Sequence, residues 1–252
     1  MDRVTYTRTY TGADGHTHFE DVTVPLPHAR SQGHESDVLP AHSIHFRHSA
    51  AGMSLAFHNA PRRRLIIIRN GGLEVETGLG EKRRFRRGDL LEVGDLTGHG
   101  HISRALDGQG FDSIFINLDA EIVTPSLKPV EGDAGGVDFI RCVADADGRS
   151  RFVDDRLPYV EASASGKVTA EMPLAGFQFV WKPASFNYAY HEAPQRQAVL
   201  CLTGGIEVES GEGERRRVDA STLYFGEDTT GQGHISRALD GQPRLSIFAH
   251  LA

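Results

Sequence analysis

A stretch of this chain occurs twice, so whatever fold it adopts must be built two times over. The first copy, HNAPRRRLIIIRNGGLEVETGLGEKRRFRRGDLLEVGDLTGHGHISRALDGQ, begins at His58. The second, HEAPQRQAVLCLTGGIEVESGEGERRRVDASTLYFGEDTTGQGHISRALDGQ, begins at His191. They align without a gap at a shift of 133 residues, and 32 of 62 positions are identical over 58–119 against 191–252. The match continues to the N-terminus, where VTYTRTYTGADGHTHFED at 4–21 meets VDFIRCVADADGRSRFVD at 137–154. This is a tandem duplication. Function is expected inside the repeated unit and in what differs between the copies.

The 252 residues divide into units of about 120, each large enough to bury a core. The expected units are 1–122 and 137–252, joined by a Pro-, Gly- and acid-marked linker at 123–136. A net charge of −7 argues against nucleic acid as a partner. No stretch approaches the ~18 apolar residues of a membrane span. The opening MDRVTYTRTYTG carries no apolar leader, so the cytoplasm is the expected compartment. Cys142 and Cys201 are not spaced as a metal pair, and Cys201 in AVLCL is expected to be a buried thiol.

No window shows sustained helical periodicity. Short apolar or alternating segments recur every 8–12 residues or so between turn signals, the pattern of an all-β sandwich or barrel. Asp14-Gly15 and Asp147-Gly148 mark hairpin turns, and the Gly-Gly pairs at 71–72 and 204–205 mark others. Residues 22–40 read as a loop, and His16 and His18 as exposed strand positions. Strands are expected near 43–48 and 176–181. His42, His45 and His48 there stand against Ala175, Gln178 and Trp181, and rim or surface positions are expected for them. Asp95 and Asp228 open Gly-rich loops and read as Asx-turn formers. The basic strands at 82–87 and 215–217 are expected to be solvated and paired with Glu74, Glu76, Glu207 and Glu209.

The repeated stretch resembles the two motifs of the cupin superfamily. The first motif places two His one residue apart, then a Glu, then a Gly seven residues later. The second runs Pro-x-Gly-x-x-His. Gly204 sets the register in the second copy: His191-Glu192-Ala193 stands at the His pair, Gln197 at the Glu, and Thr229 to His234 at the second motif. In the first copy His58-Asn59-Ala60, Arg64 and Leu96 to His101 hold these places. Each copy keeps two of the three His and has lost the Glu. The resemblance implies two tandem jelly-roll β-barrels, a bicupin acting on or holding a small molecule, with a homodimer left open. It implies a divalent metal (Zn, Fe, Ni or Cu) at His191, His234 and Gln197 in the C-terminal barrel.

His58 and His101 form the weaker N-terminal candidate, because the guanidinium of Arg64 cannot ligate and repels a cation. An inward-facing Arg64 would instead favour an anionic ligand, and Arg64, His45 and Gln178 are the candidates for lining a ligand pocket. A metal-dependent dioxygenase, isomerase or lyase and a metal-free ligand-binding protein both remain open at this stage.

Overall fold

In the computed structural model, residues 1–119, 128–130 and 132–252 are described. The rest of the expected linker lies outside them. Among the described residues each half contributes a run of six neighbouring strands to one sixteen-stranded sheet that passes through both halves, and builds a separate four-stranded sheet. The N-terminal run is Thr17–Pro25, Arg3–Thr11, Leu90–Val93, Arg64–Asn70, Phe111–Asn117, Ser43–Ser49. The small sheet runs Ser54–His58, His101–Ala105, Gly72–Thr77, Lys82–Arg86. The chain steps repeatedly from one sheet to the other, which is the path of a jelly roll.

The C-terminal half repeats this order. Its six-stranded run is Ser150–Ser163, Gly136–Ala144, Tyr224–Gly226, Gln197–Thr203, Arg244–Leu251, Met172–Lys182. Its small sheet runs Asn187–His191, His234–Ala238, Gly205–Glu209, Arg215–Asp219.

Strand alternation sorts the apolar residues into three cores. Leu65 and Ile67 point out of the N-terminal barrel. Leu200, Leu202 and Ile247 point out of the C-terminal one, and all of them join one buried cluster between the two six-stranded runs. Ile66 and Ile68 point the other way, into the N-terminal barrel with Val75, Leu91 and Phe115. Cys142, Val199, Cys201, Val208 and Tyr224 fill the C-terminal barrel. LIII and AVLCL read as unbroken apolar runs because both of their faces are buried.

One expectation is corrected. Residues 22–40 are not merely a loop: His28–Arg30 and Gly33–Glu35 form a small hairpin, and Gly33–Glu35 pairs with Met172–Lys182 of the other half. Reciprocally, Gly166–Thr169 pairs with Ser43–Ser49. Each half thus lends an arm to the other. Gly33 and Gly166, 133 residues apart, occupy equivalent places at φ +125° and +144°. There a Cβ would collide with the carbonyl oxygens of Trp181 and His48. Within the expected linker, Lys128–Pro129 pairs with Ala162 and Glu161.

Candidate functional site

His191 ends one strand of the small C-terminal sheet and His234 begins its neighbour, the two being directly paired. Their ring centroids are 4.5 Å apart. The Nδ1 atom of His191 lies 2.9 Å from the Ala189 carbonyl. A carbonyl only accepts, so Nδ1 carries the proton and Nε2 keeps its lone pair. The Nδ1 atom of His234 lies 2.7 Å from Oδ2 of the buried Asp228. This carboxylate accepts the Nδ1–H hydrogen bond in the same way and again leaves Nε2 with its lone pair. Burial, then the neighbouring His234, hold His191 below the usual imidazole range and keep it neutral.

The N-terminal barrel repeats the pair. The His58 and His101 ring centroids are 4.5 Å apart. The His58 Nδ1 donates to the Ala56 carbonyl over 2.8 Å, and the His101 Nδ1 to Asp95 over 2.6 Å. Asp95 and Asp228 are therefore not simple turn formers; their carboxylates sit beneath the histidines. Asp95 also accepts from Thr9 at 2.8 Å and Thr17 at 2.9 Å. Burial pushes its carboxyl up, but the hydrogen bonds from His101, Thr9 and Thr17 outweigh this and hold it below the usual range.

The second copy lacks this support. Cys142 stands for Thr9, and Ser150, standing for Thr17, donates instead to the Gly233 carbonyl at 2.7 Å. Oδ1 of Asp228 is left without a partner. One ligand atom from each of Cys142, Asp228 and His234 falls within 4.8 Å of the others. Tyr224, replacing Leu91, adds a buried hydroxyl without a partner. Burial raises the Cys142 thiol to about 12 and the Cys201 thiol to about 11, so both are held protonated, as expected for Cys201.

The third donor position separates the barrels. Gln197 is buried on its strand, with Cγ facing the same space as Ala193 Cβ and the Tyr224 ring beside Gly226. Arg64 takes the equivalent place in the N-terminal barrel and points inward. Its guanidinium lies 5.2 Å from the Phe115 ring centroid, and Nε has no partner. Burial, then Arg62 and Arg47, lower Arg64 to about 10, which leaves it charged at neutral pH. His45 meets the same Phe115 edge-on at 5.0 Å and is buried, not on the rim. Burial and then Arg64 push it to about 3. The Asn117 amide donates to its Nδ1 at 3.2 Å.

The structure thus brings Arg64 and His45 together. Gln178, the counterpart of His45, is half-buried in the other barrel and donates to Glu35 of the N-terminal arm at 3.4 Å. His99 is exposed against Phe57, and His18 pairs with Asp14 at 3.0 Å.

The basic strands behave as expected: Arg84 meets Glu74 at 2.9 Å and Arg215 meets Glu209 at 2.9 Å. Arg104 and Arg237 of the repeated Ser-Arg pair join them through Glu76 at 2.5 Å and Glu209 at 2.8 Å. Two surface grooves, of about 610 and 480 Å³, lie outside the barrels and contain none of the candidate histidines. Sequence reasoning missed Cys142, Tyr224, Lys182 and Arg244. The signal was present as differences between the copies, where Thr9, Leu91, Ser49 and Phe111 stand in the N-terminal half.

No protein-family model matches the chain, and no curated protein does. Solved structures do. The cupin 2 conserved barrel domain protein from Leptotrichia buccalis is 14% identical with a TM-score of 0.41, covering 89% of this chain and 86% of that one. AerE from Microcystis aeruginosa is 12% identical with a TM-score of 0.35, covering 91% and 92%. Salicylate 1,2-dioxygenase from Pseudaminobacter salicylatoxidans is 14% identical with a TM-score of 0.36, covering 86% and 70%. Likenesses this distant do not bear on chemistry. The strand order of each half, carrying His191 and His234 or His58 and His101 on neighbouring strands of the small sheet, is that of a jelly roll.

Proposed function

We propose that the chain is a small-molecule enzyme working inside the C-terminal barrel, with His191 and His234 as nitrogen ligands of a divalent cation and Gln197 as a neutral oxygen donor. One observation carries the reading: both imidazoles have Nδ1 tied to an acceptor, so both present Nε2 lone pairs from adjoining strands. The donor set fits a borderline metal such as Zn, Fe, Ni or Cu, with water completing the shell. A cation bound there supplies Lewis-acid or oxygen-activating chemistry. The chain's own groups have the remaining roles. Asp228 and the Ala189 carbonyl hold the two rings in one tautomer, and Gln197 adds no charge.

The N-terminal barrel is read as a metal-free ligand pocket, because the charged Arg64 stands where Gln197 stands in its partner. A metal-free ligand-binding role for the whole chain is the second reading. It is favoured by Ala60 and Ala193, each buried at a position where the cupin motif places a histidine.

The test is the metal content of untagged native protein beside His191→Ala and His234→Ala. One equivalent, lost in both variants, supports the metalloenzyme. A protein that takes up no added Zn, Fe, Ni or Cu overturns it in favour of the binder.

A further inference from the structure

Lys182 and Arg244 face each other directly across two antiparallel strands of the C-terminal barrel. Both are almost fully buried, at 5% and 2% exposure. Like charges placed opposite on a sheet repel, and a buried charge without a counter-ion is among the costliest features a fold can carry.

The local acids do not settle the account. Among the described residues Lys182 reaches one carboxylate, Glu35, at 3.5 Å. Glu35 is already shared with Arg30 at 2.7 Å and Gln178 at 3.4 Å. Among the described residues no carboxylate pairs with Arg244. Its Nε and Nη1 are buried without partners, and its guanidinium rests near the rings of Phe186, at 5.4 Å, and Phe248, at 5.9 Å. The architecture does not require these cations, because the N-terminal barrel holds Ser49 and Phe111 at the same two positions.

Lys182 also approaches one of the histidines. Lys182 Nζ lies 5.7 Å from the Tyr188 ring centroid, and that ring is 5.2 Å from the His191 ring. The Tyr188 hydroxyl is fixed by Ser31 at 2.7 Å. One aromatic side chain therefore separates the ammonium from the proposed metal ligands.

We propose that Arg244 and Lys182 form an anion subsite of the C-terminal barrel and that its ligand is a small carboxylate, the fork of Arg244 taking the carboxylate oxygens. This rests on the reading of that barrel as the working pocket and adds the chemical class of what enters it. A planar carboxylate matches the parallel N–H groups of a guanidinium, and a second donor at Lys182 would hold the same group from the side. The ligand supplies the negative charge that the protein leaves out.

The experiment is a calorimetric titration of the full chain with malonate and with its neutral counterpart malonamide. It compares wild type, Arg244→Phe and Lys182→Ser, both substitutions being residues that the sister barrel accommodates. Circular dichroism checks folding, and zinc content is measured on the same samples. Malonate binding to wild type, weakened at least tenfold in Arg244→Phe with zinc content unchanged, supports the subsite; malonamide should not bind. Unchanged malonate affinity in Arg244→Phe, no binding to wild type, or tighter binding of inorganic phosphate than of malonate overturns it. A protein that binds malonate through Arg244 yet takes up no added Zn, Fe, Ni or Cu retires the metal reading and leaves the subsite standing.

Discussion

His234 Nδ1 donates to Asp228 Oδ2 over 2.7 Å, and Asp228 has no solvent exposure at all. A ring held this way presents its other nitrogen in a fixed direction. Asp228→Asn removes the charge that pins the proton on Nδ1. Affinity of the C-terminal site for Zn²⁺ should then fall by roughly 10- to 100-fold, the usual cost of losing such a partner. Competition against a chromophoric chelator measures it. Affinity equal to wild type would mean that the carboxylate does not orient the ligand.

Cys142 leaves Oδ1 of Asp228 unpartnered, whereas Thr9 satisfies Asp95 over 2.8 Å. Cys142→Thr copies the sister arrangement at nearly constant volume. It should stabilise the protein by about 1 kcal/mol, one hydrogen bond to a buried acceptor. An increased urea midpoint with an unchanged slope is the expected result.

On the proposed reading, the Arg64 charge keeps a cation out of the N-terminal barrel. Arg64→Gln gives His58 and His101 the same third residue that His191 and His234 have. The variant should take up a second, weak equivalent of Zn²⁺ in an equilibrium titration where wild type takes one. A titration that still saturates at one would move the cause of exclusion elsewhere, to the neighbouring Arg62 and Arg47.

His45 resists protonation in the folded protein down to about pH 3, because of burial and Arg64. Unfolded, it titrates near 6.5. Between those values the unfolded chain binds a proton that the folded chain refuses. Stability therefore falls as pH drops below about 6.5, by up to about 1.4 kcal/mol per pH unit for this one group, and is insensitive to it above. His58 and His191, also lowered by burial, act in the same direction. His45→Gln, matching Gln178, should flatten the acid limb in urea melts taken from about pH 7 down to 4.5.

Much of this was legible in the chain because a duplicated sequence checks itself. The Asp-Gly hairpins, the apolar runs LIII and AVLCL and the Glu–Arg cross-strand pairs are local patterns, and local patterns survive without coordinates. The histidine pair was legible too, through motif spacing. The carboxylate beneath it was not: an Asp opening a Gly-rich loop has a sufficient local explanation as a turn former, and only the folded loop turns it under a ring six residues away. His45 looked like a surface residue because histidine-rich polar segments usually are. Its burial comes from the Phe115 strand, far along the chain. The arms at 28–35 and 166–169 were missed for a related reason. Their pairing partners lie in the other half, so no window of sequence contains both sides.

Those arms change what the chain can be divided into. Cut at the linker, each half would lose the strand that covers its own Ser43–Ser49 or Met172–Lys182 edge, and an uncovered edge invites pairing with any strand at hand. The molecule is in effect an internal domain swap that cannot be undone without leaving both partners incomplete. Fragments 1–122 and 137–252 should aggregate when produced singly and rescue each other when produced together. The intact chain should melt in a single transition despite holding two barrels. Duplication supplied two copies of a fold, but the reciprocal loan of strands made them one thermodynamic object, so that a substitution in one pocket is felt in the stability of the other.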